Sequence, residues 1–151
     1  MHIRVLAVGA RQPEWVNTAV KTYAERLPRA WRFRIDEIDA GKGRAASREH
    51  QGERILAAVK SGERLVALRE TGKSLSSIEF ATHVSGWQGE GNDIVFVIGG
   101  ADGLSESVCR AERFGLSLSA MTLPHGMARV FLVEQLYRAQ TLLDGHPYHR
   151  A

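Results

Sequence analysis

The sequence predicts an α/β domain built on a mostly parallel sheet with helices on both faces, and three observations carry that reading. Short apolar runs alternate with amphipathic helical patterns along the chain, as repeated strand–crossover–strand units require. The run Ile94, Val95, Phe96, Val97, Ile98 is apolar at every position, as befits a central parallel strand buried on both sides. At 151 residues, 44% hydrophobic and 25% charged, the chain can fill one core, whereas two halves would each be marginal, so a single domain over 1–151 is expected.

The elements follow in order. Residues 3–8 read as a first strand, and this start lacks the charged region, long apolar stretch and small-residue cleavage site of a secretion signal. A helix is predicted over 13–27, where Trp15, Val16, Ala19, Val20, Tyr23 and Leu27 recur at spacings of three and four. Pro13 suits its first turn and Pro28 stops it. Strands are predicted at 33–38, 65–68, 94–98 and, more weakly, 116–118, with helices between them at 48–60, 76–87 and 105–112.

A long helix over 127–143 carries Met127, Ala128, Val130, Phe131, Leu132, Val133, Leu136, Tyr137, Ala139, Leu142 and Leu143 around much of its circumference, leaving Glu134 and Arg138 as its polar stripe. A helix apolar on most sides is buried on most sides. A sheet covers one flank, so the other is expected on a second subunit in a two-fold dimer; deep embedding within a monomer is the alternative.

Composition narrows the function classes. No apolar run approaches the roughly 20 residues of a membrane span. The single cysteine, Cys109, excludes an internal disulfide framework or multi-cysteine zinc site and fits a reducing cytoplasm, where it reads as a packing residue. A net charge of +3 permits attraction to phosphate without compelling it. Lys42, Arg44 and Arg48 cluster in a glycine-containing loop, and Arg150 stands beside His146 and His149; singly, a solvated loop and a frayed end explain each patch.

Two stretches could carry chemistry. Gly99, Gly100, Ala101, Asp102 and Gly103 follow the central strand, where missing side chains let a ligand approach the backbone at a strand's carboxyl end. Neither a dinucleotide fingerprint after the first strand nor a P-loop is present. The second stretch, Leu123-Pro124-His125, holds the preceding residues extended, so that backbone groups of 119–123 are presented in fixed order and could read an adenine. His125 is either part of that site or a helix-entry residue bonded locally. Arg129 could hold a phosphate or carboxylate; Arg138, four residues after Glu134, is expected in an intrahelical ion pair. His146 and His149 lack an acidic partner at metal-ligand spacing, so no metal is expected.

Taken together, residues 98–103, Leu118-Ser119 through Leu123-Pro124-His125, Arg129, residues 134–139 and Pro147-Tyr148-His149 resemble the RlmH family, SPOUT-class methyltransferases that modify a pseudouridine of bacterial large-subunit ribosomal RNA. Val8-Gly9, Trp15, Gly41-Lys42 and Gly72-Lys73 extend the likeness upstream. The resemblance implies a SPOUT α/β knot with a C-terminal trefoil, a cytoplasmic homodimer, and S-adenosyl-L-methionine as cofactor. Carried over, Leu68, Gly100, Leu118, Ser119, Ala120, Met121, Thr122 and Leu123 would line the cofactor pocket, with Gly99, Pro124 and His125 adjoining. Where the family often has Asp after Leu68, this chain has Arg69, which removes any carboxylate role there.

The implied reaction is attack by N3 of a pseudouridine in 23S rRNA on the cofactor's methyl carbon. His149 is the base candidate, and Tyr148 and Arg150 would help position the base or its phosphates, in their own subunit or across a dimer. A noncatalytic ribosome- or RNA-binding module on the same scaffold is the competing class, and methylation of another RNA a third reading. The modest charge and lack of a separate RNA-binding domain favour an assembled ribosome over naked rRNA.

Overall fold

The computed structural model describes residues 1–9 and 11–149, with His149 described through its backbone only. Five parallel strands, β1 (Ile3–Val8), β2 (Arg34–Ile38), β3 (Glu63–Ser74), β4 (Asp93–Ile98) and β5 (Phe114–Ser117), form one sheet in the order β2-β1-β4-β3-β5. The helices are α1 (Glu14–Ala24), α2 (Arg48–Ala58), α3 (Ser77–Glu90), α4 (Glu106–Ala111) and α5 (His125–Asp144).

Side-chain alternation along the strands divides the interior in two. Ile3, Val5, Ala7, Val66, Ile94, Phe96 and Ile98 face one side, packing on Phe80 and Val84 of α3 and Leu132, Val133 and Leu136 of α5. Leu6, Val8, Leu65, Ala67, Val95 and Val97 face the other, against Ile55 of α2 and Val108 of α4. The uninterrupted apolar run of β4 is thus the sheet's shared centre, as expected of a strand covered on both faces.

Local signals set the element ends. Pro13 caps α1, and Pro28 opens a 3-10 turn at Arg29–Trp31. Ser76 and Glu79 form a reciprocal capping box at the start of α3, which Gly91 ends in the left-handed conformation.

Three expectations change. β3 continues past Leu68 to Ser74, because four residues bulge out and pairing with β5 then resumes: Leu116 lies opposite both Leu68 and Lys73. β5 ends at Ser117 and α5 begins at His125, so Leu118 belongs to the connecting loop. The all-round apolarity of α5 is largely satisfied within one chain, since α1 and α3 flank it on the sheet; a second subunit is not required to explain it.

Candidate active site

The carboxyl ends of β3, β4 and β5 open into a cleft of about 740 Å³, a size suited to a cofactor-sized molecule. Leu68, Ile98, Leu116, Leu118 and Leu123 give it apolar walls, the 99–103 turn forms one rim, and Ser119, Met121, Thr122, Pro124 and His125 form another. Of the expected cofactor residues, Leu68, Gly99, Gly100, Leu118, Ser119, Met121, Thr122, Leu123, Pro124 and His125 meet here, from segments up to 57 positions apart; Ala120 sits in the same loop without lining the cleft.

Glycine is needed in the turn for space. A Cβ on Gly99 would lie 2.8 Å from the carbonyl carbon of Gly103, and one on Gly100 would lie 3.0 Å from Gln51 Oε1. The turn closes through the Gly103 amide donating to the Gly100 carbonyl, with Gly103 at φ +76°. The opposite loop is braced by its own serines: Ser117 Oγ donates to the Ser119 carbonyl and the Met121 amide donates to Ser119 Oγ, each at 2.9 Å. Proline at 124 then hands the chain into α5.

His125 is joined to a residue far away in sequence. Its Nδ1 lies 3.0 Å from the Gly99 carbonyl, and the Arg129 Nε–H donates to its Nε2 at 2.9 Å. A carbonyl can only accept and a guanidinium can only donate, so the ring is the neutral tautomer with its proton on Nδ1. Burial, then the positive charge of Arg129, push the imidazole below its ordinary pKa. Arg129 is 4% exposed; its Nη1 donates to Glu37 of β2 at 3.1 Å, while its Nη2 is buried with no partner among the described residues.

Gln51 and Glu112 carry no signal in the sequence, yet both shape the cleft. Gln51 of α2 is buried behind Gly100 and donates to the carbonyls of Ala40 and Ala46, holding the 40–46 loop. Glu112, just after α4, accepts from Arg69 Nε and also pairs with Nη2. The departure at position 69 therefore puts a neutralised arginine on the cleft's edge. Cys109 of α4 and Arg48 at the start of α2 also line the cleft.

Tyr148 lies away from the cleft. Tyr148 packs on Tyr137 with ring centroids 4.5 Å apart, and its hydroxyl donates to Glu134 at 3.0 Å. Glu134 also pairs with Arg138, as its spacing predicts. Burial, then Tyr23 and Glu134, push the phenol upward in pKa, away from a basic role near neutrality. Glu134 is nine residues along α5 from His125, about 14 Å of helix rise. The His149 side chain and all of Arg150 lie outside the described residues. Among the described residues no group of three His, Cys, Asp or Glu could hold a metal, and no helix is long and apolar enough to cross a membrane.

Comparison with known proteins converges on one family. The family model described as "Predicted SPOUT methyltransferase" matches residues 1–149. Ribosomal RNA large subunit methyltransferase H of Neisseria meningitidis is 46% identical, over 99% of both chains. The protein of that name from Ralstonia pickettii is 44% identical with the same coverage. Among solved structures, a probable methylase family protein from Haemophilus influenzae aligns with a TM-score of 0.61 at 13% identity, covering 99% of this chain and 70% of its own. The SpoU methyltransferase AviRb of Streptomyces viridochromogenes, in complex with AdoMet, aligns with a TM-score of 0.51 at 14% identity, covering 92% and 58%. At such identities the structural likeness speaks for the fold alone.

Proposed function

This chain belongs to the SPOUT methyltransferases, within the group of ribosomal RNA large subunit methyltransferase H, and on that premise we propose that it transfers a methyl group from S-adenosyl-L-methionine to 23S ribosomal RNA. The observation that carries the reading is the cleft itself: a full-length relative at 46% identity is matched by a strand-end cavity in which all but one of the expected cofactor residues converge.

The residues present suit that cofactor. Leu68, Ile98, Leu118 and Leu123 offer apolar contact to an adenine, and the backbone of 118–123 offers groups to read its edge. The Gly99–Gly100 backbone, bare of side chains, admits the ligand's polar portion. When bound, S-adenosyl-L-methionine supplies an electrophilic methyl group on sulfur. The chain's own share is to fix the direction of approach, exclude water and accept a proton. Alignment of nucleophile, methyl and leaving sulfur provides much of the acceleration.

We take the target atom to be N3 of a pseudouridine, whose imide proton must leave; His149 is the base candidate, with Tyr148 and Arg150 positioning the RNA. Because Tyr148 is held against Glu134 and Tyr137, far along α5 from its own cleft, this tail is assigned to the cleft of a partner subunit. A homodimer is supported by exposed apolar side chains beside the cleft. Trp15 is 55% exposed and Met127 is 36% exposed, and each adjoins the close packing of Val16 on Gly126, where α1 meets the start of α5. A trefoil knot is supported by the path of the chain. After β5, at the sheet edge, it crosses β3 to bond at the end of β4 through His125 and Gly99.

We further read 1–151 as one cytoplasmic domain acting on the assembled ribosome, since a chain of net charge +3 has few phosphate contacts to offer naked RNA. Mass mapping of 23S rRNA from a deletion strain, with and without the restored gene, tests the reaction: loss and recovery of one methyl on a pseudouridine is expected. An unchanged mass would end the proposal. Transfer by purified protein to ribosomes, with little to protein-free rRNA, is the expected substrate preference.

A further inference from the structure

We infer that His125 and Arg129 are positioning residues of the cofactor site: neutral His125 holds the Gly99 carbonyl, and with it the 99–103 turn, in the receiving form, and a proton taken up by His125 releases it. The inference rests on the reading of the cleft as an S-adenosyl-L-methionine site.

The geometry leaves the ring one arrangement. Its Nδ1–H is committed to the Gly99 carbonyl and its Nε2 lone pair to the Arg129 Nε–H. Protonation would set an N–H on Nε2 against a guanidinium N–H 2.9 Å away, two donors facing each other with no acceptor between. Arg129 cannot step aside cheaply, since it is 4% exposed and tied by Nη1 to Glu37. Nor can the charge be shared, because its Nη2 is already buried without a partner among the described residues. His125 is also the first residue of α5, where the helix dipole opposes a cation.

The charged groups around the ring are Arg129 on its own helix, Glu37 on β2 and, across the cleft, Arg48, Arg69, Glu70 and Asp102. The acids do not offset the rest: the imidazole stays below its ordinary pKa, through burial and then Arg129. The ring ties the start of α5 to the end of β4; when protonated it keeps its Nδ1–H, so release comes from the new Nε2–H facing Arg129, which displaces the ring from its place between Arg129 and Gly99 and loosens one rim of the cleft from the other.

Calorimetric titration of the full chain with S-adenosyl-L-methionine from pH 7.5 to 5 tests this. For the unaltered protein, affinity is expected to hold near neutrality and then fall by up to about tenfold per pH unit once His125 protonates. His125→Asn keeps a donor for Gly99 and carries no titrating ring, so its affinity should be several-fold weaker at pH 7.5 and lose that step. Ionisation of the ligand cancels in the difference between the two proteins.

Arg129→Gln, checked for folding by thermal melting at pH 7.5, should move the step to higher pH by removing the opposing charge. An unaltered pH profile in both variants would overturn the inference while leaving the cofactor reading intact. Absence of binding by the unaltered protein at every pH would instead overturn the cofactor reading, and the inference with it.

Discussion

Arg4 carries its charge into the sheet at the end opposite the cleft. Its guanidinium donates to both oxygens of Glu63, to Asp36 and to the Ala58 carbonyl, joining the first three strands to the end of α2. The side chains of Arg4 and Glu63 are 9% and 7% exposed, so each depends on the other for solvation. Arg4→Met should therefore cost about 3 kcal/mol, chiefly by stranding Glu63, read as a lower urea midpoint with unchanged slope. Burial pushes Glu63 and Asp36 up, but it is outweighed by Arg4 acting together with the Lys60 amide on Glu63 and with Arg34 on Asp36, and both sit below their ordinary pKa. Their contribution is present above the ordinary carboxylate range and lost as pH falls through the lowered values. Arg4→Met should flatten that acid limb of the stability curve. Nothing in the run around Arg4 announces this network, because its partners stand 32 and 59 residues away.

At the scale of elements, β3 does the most to shape the cleft and was the least legible. Sequence reading stops the strand at Leu68, where Arg69, Glu70, Thr71 and Gly72 break the apolar pattern. The strand instead bulges those four residues out, with Arg69, Glu70 and Thr71 lining the cleft, and resumes pairing at Lys73. Gly72 makes this possible: a Cβ there would lie 2.7 Å from the carbonyl carbons of both Gly115 and Leu116, backbone atoms that cannot turn away. Gly72→Ala is expected to lose about 1–3 kcal/mol and to weaken cofactor binding, as melting and calorimetry would read. Gly86→Ala on α3, where a Cβ meets nothing within 4 Å, should instead stabilise by about 0.5–1 kcal/mol. Equal effects of the two changes would mean that the bulge has no special packing. β1, β2, β4 and all five helices were legible because their periodicity is local, whereas β5 was read only at Leu116 and Ser117. The bulge was not, because its register is written in β5.

At the scale of the whole molecule, the cleft lies at one end of α5 while Tyr148 is held against Glu134 farther along the same helix. The long helix was legible as apolar on most sides, but α1 and α3 satisfy much of that surface, and the apolar side chains left exposed near the start of α5 include Trp15 and Met127. A two-fold pairing through that end would allow each tail to serve the other chain's cleft. Trp15→Glu with Met127→Glu should convert a particle of twice the 16.7 kDa chain mass into single chains, measured by sedimentation. Mixed dimers separate the two routes for the tail. Tyr148→Ala with His149→Ala leaves the cleft intact, while Gly99→Val blocks the cleft and leaves the tail intact. If tails act across the dimer, co-refolding these two inactive proteins in equal amounts should restore roughly a quarter of normal ribosome methylation, since half of randomly paired dimers hold one complete site of two. If each tail serves its own chain, every subunit in the mixture carries one defect within its only site, and activity stays absent.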